Sequence, residues 1–271
     1  MHNDTYDRTK VLDKAVLVLF SFTAEDQAVS FSELMERTGF PRATLHRTLA
    51  DLVAVNLVER TPERGYRLGR DLFQLGMRAF NERNLLEVAT PFMEDVYERT
   101  HQTVHLGIID RTEVVYIAKI GGHRQAVTPS RVGGRMPLHC TAVGKALLAH
   151  APDELLGRVL RQGLKPRTGR TIVSAHVLRQ QLATAAAAGV AYEYEESAQG
   201  IACVAAPVLD QGNVPIAAVS VTGPLPGFRP ERHSRAICVA ATGIAAALRS
   251  SEIRQRRIKV SSSSGRNSRL D

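Results

Sequence analysis

The sequence predicts an α+β chain in two parts. A small helical unit ending in a β-hairpin comes first, and an antiparallel sheet with segregated helices follows. Three observations predict this. Apolar residues recur at helical spacing from Val11 to Val53, punctuated by Gly39 and Pro41. From Thr103 the pattern changes to period two, the spacing of strands. The 271 residues suffice for two domains with separate cores, and sheets with helices set apart from them form α+β domains.

Val11 to Phe22 reads as the first helix. Ser30 followed by Glu33 has capping-box spacing, so a second helix starts there, and Gly39 ends it. Pro41 restarts the chain in a third helix, where its missing N–H costs nothing in the first turn. Leu45, Leu49, Leu52 and Val53 give that helix one buried face. Leu57–Arg60 and Tyr66–Leu68 read as strands around Thr61-Pro62-Glu63-Arg64-Gly65, forming a wing.

Two helices joined by a short Gly-containing turn form a helix-turn-helix, whose second helix can enter a major groove N-terminus first. The exposed set on that helix is Arg42, Ala43, Thr44, His46 and Arg47, with Arg64 on the wing. A helical hairpin that only packs is the rival reading. Charge favours DNA: Arg37 to Arg70 holds seven arginines against Asp51, Glu59 and Glu63. The net charge of +8 does not itself argue for DNA. Residues 1–83 balance at 12 basic and 12 acidic side chains, whereas residues 119–180 hold 11 basic and 2 acidic. That second stretch suits an anion site or a solvated surface.

Arg70 to Asn84 reads as a helix joining the parts, with Asn84 capping the next, Leu85–Thr100, which Pro91 should kink. Thr103–Ile109 and Val114–Ile120 are strands around Asp110-Arg111. Gly121-Gly122 and Gly133-Gly134 punctuate a loop with a short strand between them. Helices follow at Thr141–His150, Pro152–Arg161 and Ala175–Ala188, the last ended by Gly189. Strands Val190–Glu196, Ile201–Leu209 and Pro215–Thr222 precede a helix from Pro230 to Arg249. Residues 1–8 and the basic tail 250–271 are expected to be disordered.

Several classes are excluded by what the residues do not form. No apolar run approaches the roughly 20 residues of a membrane helix, and the first ten residues lack a secretory apolar core. Cys140, Cys203 and Cys238 are far apart, forming no C-x-x-C pair, which suits a reducing cytoplasm. No Walker A loop, dinucleotide fingerprint, catalytic triad or metal set is present, so no cofactor is expected. Cys140 reads as a small buried hydrophobe rather than a nucleophile beside His139. Gly133 to His139 leads into the helix near Thr141. A loop entering a helix offers N–H groups to a carboxylate, and spacing alone does not separate this from an ordinary glycine loop.

SELMERTGFPRATLHRTLADL with GYRLG, LLEVATPFMEDVYERTHQTVHLGIID, GGRMPLHCTAVGKALLA, and GIACVAAPVLD with AAVSVTGP together resemble the isocitrate lyase regulator (IclR) family of bacterial transcription factors. The resemblance covers about residues 10–249. It implies a winged helix-turn-helix (9–69), a linker helix (70–84) and a GAF-like effector-binding domain (85–249). It also implies dimers, commonly paired into tetramers on operator DNA. Small carboxylate effectors in this family are held by the loop, here Gly134, Arg135, Met136, Leu138 and Thr141. The other positions fall on Glu193, Cys203, Ser220 and Thr222. Glu193 is often Asp there and Thr222 often Ser, so effector identity does not transfer.

The reading is therefore a cytoplasmic, sequence-specific DNA-binding regulator responding to a small acidic metabolite. The positive charge of residues 119–180 is expected to draw that metabolite in. The alternative is a metabolic enzyme with an accessory DNA-binding domain, for which the sequence offers no catalytic set.

Overall fold

The computed structural model describes residues 7, 10–23, 25–63, 65–79, 83–121 and 128–264. It divides into two compact units, Met1–Asn81 and Glu82–Asp271.

The first unit runs α1 (Val11–Phe20), β1 (Val29–Ser30), α2 (Phe31–Thr38), α3 (Arg42–Ala54), β2 (Val58–Arg60), β3 (Gly65–Leu68) and α4 (Arg70–Ala79). Ser30 caps α2 as its spacing predicts, its hydroxyl accepting the Glu33 N–H at 3.2 Å. Gly39 closes the helix at φ 64°, returning its N–H to Met35. Pro41 sits one residue before α3, at the N-cap. Leu17 and Val18 of α1, Leu34 of α2, and Leu45, Leu49 and Leu52 of α3 share one core with Val29, Phe40, Val58 and Tyr66. Val53 is only half-buried. The wing carries a third strand that the sequence did not reveal: β1 pairs Val29 with Tyr66 on the outer edge of β3. Two residues are too few for a period-two signal.

The second unit opens with α5 (Arg83–Thr100), then β4 (Thr103–Asp110) and β5 (Glu113–Ile120). Between Gly122 and Gly133, where the sequence reading placed a short strand, residues 122–127 lie outside the described residues and 128–132 form no strand; then come β6 (Arg135–Pro137) and a 3-10 turn at Leu138–Cys140. Then follow α6 (Ala142–Leu148), α7 (Asp153–Gln162), α8 (Ala175–Ala188), β7 (Ala191–Tyr194), β8 (Ile201–Leu209), β9 (Pro215–Pro224), a second 3-10 turn at Pro230–His233, and α9 (Ser234–Ser264). All six strands pair antiparallel in the order β6-β5-β4-β9-β8-β7. Register decides the two faces. His105 opposes Ser220 and Cys203 opposes Thr222, so these point one way, into the core shared with α6, α7 and α8. Val104, Val204 and Val221, adjacent across β4, β8 and β9, point to the other face. On α9, Gly243 lets Phe92 of α5 approach: an added Cβ would lie 2.4 Å from its ring.

Four expectations are corrected. The helix expected from Arg70 to Asn84 ends at Ala79, and residues 80–82 lie outside the described residues. Asn84 lies inside α5, which starts at Arg83, so it is not a cap; its amide donates to Ser251 Oγ at 2.9 Å. The Gly133–His139 loop does not run straight into a helix. It forms an edge strand and a 3-10 turn, because Val114 and Val115 of β5 are available to pair Met136 and Arg135. Finally, residues 250–264 of the tail are helical, not disordered: that stretch contains no Gly or Pro to end α9. Of the segment 1–8, only Asp7 is described.

α6 is the helix that closes one face of the sheet, and Gly144 sets how closely it can lie. A Cβ there would stand 2.2 Å from the Leu138 carbonyl oxygen and 2.5 Å from its Cα. Backbone on both sides has nowhere to go. Gly144→Ala should therefore destabilise the chain by about 1–3 kcal/mol or more. Thermal unfolding checks this, and a wild-type melting temperature would contradict it.

Candidate functional site

The first candidate surface is the exposed side of α3 with the wing. Arg42, Ala43, His46 and Arg47 are exposed; Thr44 is half-buried and its carbonyl accepts from Thr48 Oγ1 at 3.0 Å. Arg64 lies outside the described residues. The local excess of arginine is smaller in space than in sequence. Arg37 binds Asp26, Glu33 and the Ser21 carbonyl, tying the 21–26 loop to α2. Its hydrogen bond holds the Asp26 carboxyl well below the usual carboxylate range. Arg67 forks onto Glu59 at 2.9 and 2.7 Å. Arg42, Arg47 and Arg60 have no acidic partner among the described residues. Arg42 instead lies 5.6 Å over the ring of Phe31, and Arg60 lies 5.8 Å over that of Tyr66. Sequence reading missed Arg60; its alternation with Glu59 along β2 was the available signal.

The second candidate is a small cavity of about 20 Å³ between the sheet and α6. Of the predicted residues, Met136, Thr141, Glu193, Cys203 and Thr222 line it. The other four do not. Arg135 turns outward and pairs with Asp110 and Glu113. Gly134 sits in the turn before β6, its N–H returning to the Arg131 carbonyl. Leu138 is fully buried in the apolar core. Ser220 is fully buried, and its hydroxyl has no hydrogen-bond partner among the described residues. Lining residues that sequence reading missed include His105, Tyr116, Ser130 and Ser197. Period two along β4 points His105 to the same face as Thr103, and Ser197 lies one turn after Glu193, so both were within reach of spacing.

The polar groups are held as follows. Glu193 is 2% exposed; Oε1 accepts from the Glu196 N–H (2.8 Å), the Ser197 N–H (2.9 Å) and Ser197 Oγ (3.1 Å). Its other oxygen has no partner among the described residues. Burial outweighs those donors and pushes the carboxyl up to about 7. His105 Nε2 meets Ser130 Oγ at 2.7 Å, and burial, with the Lys119 charge behind it, pushes the ring down to about 3, so it is neutral. Thr222 Oγ1 donates to Cys203 Sγ at 3.0 Å, and burial pushes that thiol up to about 12. Thr141 caps α6, taking the Gly144 N–H at 3.0 Å, so that donor is not offered to the cavity. No Lys or Arg is among the lining residues. The basic character of residues 119–180 is thus not in the cavity wall. Lys145, the nearest candidate in α6, is buried and spent on Glu196 (2.6 Å) and Gln181 (2.8 Å). Among the described residues no cluster of His, Cys, Asp and Glu is arranged to hold a metal ion.

Comparison with known proteins agrees with this architecture. Residues 11–62 match the model of the IclR helix-turn-helix domain, and residues 77–247 match that of the bacterial transcriptional regulator IclR C-terminal region. The transcriptional repressor IclR of Escherichia coli (strain K12) is 30% identical over 221 residues, covering 80% of this chain and 81% of that one. The regulator XynR of the same strain is 34% identical over 214 residues, covering 78% and 84%. An IclR homologue from Microbacterium hydrocarbonoxydans, solved with 4-hydroxybenzoate, superposes with a TM-score of 0.82 at 31% identity, covering 89% of this chain and all of that one.

The raised Glu193 carboxyl has a measurable consequence. The folded state holds this proton more tightly than an ordinary glutamate at 4.5, up to about 7. Its contribution to stability is thus full below 4.5 and is lost as pH rises through 7. Glu193→Gln cannot ionise, so the variant should lose less stability than the parent between those limits. Urea unfolding across that range checks it, and parallel curves would contradict it.

Proposed function

The chain belongs to the IclR family of DNA-binding transcriptional regulators, and from that premise we propose that a small hydroxy-, oxo- or phenolic acid bound in the second unit's cavity modulates its operator binding. One observation carries the ligand class. The cavity wall offers hydroxyls, a neutral histidine and a buried acid, with no basic side chain. A carboxylate entering it meets the hydroxyls of Tyr116 and Ser130, while those of Thr141 and Thr222 donate to the Pro137 carbonyl and to Cys203 Sγ. A second polar group on the ligand meets Glu193, through its free oxygen. A plain fatty acid would leave that oxygen unpartnered, which is costly when buried. The relative solved with 4-hydroxybenzoate, a phenolic acid, supports the same class. Gly134, Arg135, Leu138 and Ser220 are left out of the contact set. The DNA contacts in this reading run through α3 and the wing, with Arg47 reading a base edge.

A thermal-shift screen tests the reading, using 4-hydroxybenzoate with other aromatic and aliphatic hydroxy acids. A ligand that binds only the folded state at 100 times its Kd adds about 2.7 kcal/mol. For a binder, calorimetry on Thr222→Val and Glu193→Gln should give affinities at least about fivefold weaker, a loss of about 1 kcal/mol per hydrogen bond. Unchanged affinity in both folded variants would move the effector elsewhere.

We also propose that the chain acts in the cytoplasm as a homodimer, paired into tetramers on DNA. α1 exposes Val11 (62%) and Leu12 (78%), and α4 exposes Phe73 (72%) and Leu75 (51%). Such apolar faces on short helices call for a partner. One helix-turn-helix reads one half-site, so the operator should be palindromic. Light scattering at micromolar concentration should give a dimer or larger; a monomer with and without DNA would remove the claim.

A further inference from the structure

The exposed residues of α3 do not form one surface. Arg42 and His46 are four residues apart and share a side of the helix; Ala43 and Arg47 are likewise four apart and share the next. The first pair faces a cleft between α3 and the wing, lined by Phe31, Arg42, His46, Arg60, Thr61 and Tyr66. Arg47 does not line it.

The register of the three-stranded sheet builds this cleft. β1 pairs Val29 with Tyr66, which brings the start of α2, and so Phe31, beside the wing. β2 pairs Arg60 with the same Tyr66. The two aromatic rings then form the floor. Arg42 stacks on one and Arg60 on the other, while the His46 ring lies 6.4 Å from that of Phe31. The stacking orients both guanidiniums without neutralising them, and neither has an acidic partner among the described residues. On the opposite face of the wing the situation reverses: Glu59 and Arg67, paired in register, cancel one another. Two uncompensated, pre-oriented arginines and an imidazole thus converge on one concave site.

We propose that this cleft is a phosphate seat: Arg42, Arg60 and His46 hold a backbone phosphate of the bound DNA, and base reading is left to the Ala43–Arg47 side of α3. The proposal rests on the DNA-binding reading and reassigns Arg42 and His46 within it. Phosphate contacts fix register but carry no direct sequence information, whereas base contacts do. A phosphate accepts any well-placed cation; a guanine read in a bidentate manner needs the fork of arginine.

The test uses the full chain and two kinds of DNA. Fluorescence anisotropy with a random-sequence duplex, across a salt series, gives the slope of log K against log salt. Selection from a randomised duplex pool gives the preferred sequence. Arg42→Ala and Arg60→Ala should each make the slope shallower, and together by about 0.9, the contribution of the one phosphate they share. Both should weaken all sequences alike and leave the selected consensus unchanged. Arg42→Lys and Arg60→Lys should restore the slope. Arg47→Ala should alter the consensus. Circular dichroism confirms that each variant is folded. A consensus altered by Arg42→Ala, a slope unmoved by Arg60→Ala, or failure of Arg42→Lys to restore it would overturn the proposal. A parent chain that selects no sequence at all would instead remove the DNA-binding reading beneath it.

Discussion

Charge buried beneath α6 is the constraint on which the second unit depends. Lys145 and Glu193 are 2% exposed and Glu196 is 5% exposed. An ion in such a place costs several kcal/mol unless it is partnered. One short turn, Glu193 to Ser197, supplies most of the partners. Glu196 pairs its carboxylate with Lys145 and gives its N–H to Glu193. The carbonyls of Glu195 and Glu196 accept from Thr168 and Thr171, at 2.6 and 2.7 Å, which fastens the turn to the neighbouring loop. The turn is tight enough to place Glu195 at φ 56°, a left-handed conformation that a residue with a side chain adopts only where its surroundings require it. Two acids compete for one cation. Glu196 takes it, and burial, which the dipoles around Glu193 offset only in part, leaves Glu193 holding its proton more firmly than usual.

The first unit follows the same logic with opposite sign. Seven arginines in a row of 34 residues suggest a broad positive surface, but ion pairing decides which of them face a partner. Arg37 and Arg67 are spent on Asp26, Glu33 and Glu59, where they hold the loop before α2 and the wing in place. Of the others among the described residues, Arg42 and Arg47 lie on α3, Arg60 on β2 and Arg70 at the start of α4. The rings of Phe31 and Tyr66 make this possible, because an aromatic face positions a guanidinium while leaving its charge available. A wing of alternating Glu59, Arg60, Tyr66 and Arg67 therefore has one neutral side and one basic side.

Much of this was legible in the sequence, for identifiable reasons. Ser30, Glu33 and Gly39 delimit α2 through local capping chemistry, which does not depend on the rest of the fold. The strands β4, β5 and β8 follow from period two, and Gly189 ends α8 at φ 71°. Part of the cavity was legible for a weaker reason: a family pattern placed Glu193, Cys203 and Thr222, and their strand positions turned them inward. Residues whose role depends on long-range pairing were not legible. Arg135 looked available until β5 and the β4–β5 turn offered it two acids. Ser220 shares a face with Thr222 but lies two residues earlier in β9, opposite Ala205 and His105. Lys145 carried a signal that went unread. A lysine in the small apolar helix Ala142–Leu148 has no solvated side, so it needed a buried partner. The end of α9 failed differently, since composition suggested disorder where backbone propensity allowed helix.

On the proposed reading, these features also locate where a ligand's charge would be felt. A ligand regulates only if it binds two states of the protein unequally. A carboxylate in this cavity has no cation to meet, so Glu193 is the one charge nearby that can adjust. Its free oxygen is available to the ligand, while the other orients the N–H groups of Glu196 and Ser197. A change in Glu193 ionisation thus alters the strength of bonds that position Glu196, and Glu196 in turn holds Lys145 of α6. The ligand's apolar side rests on the same helix, at Ala142 and Val143. Both contacts therefore act on α6, whose close approach to Leu138 at Gly144 leaves little room for gradual adjustment. A closely packed helix that carries a buried ion pair responds to a nearby change of charge by shifting as a unit. On this reading α6 is the element whose position would distinguish the liganded state.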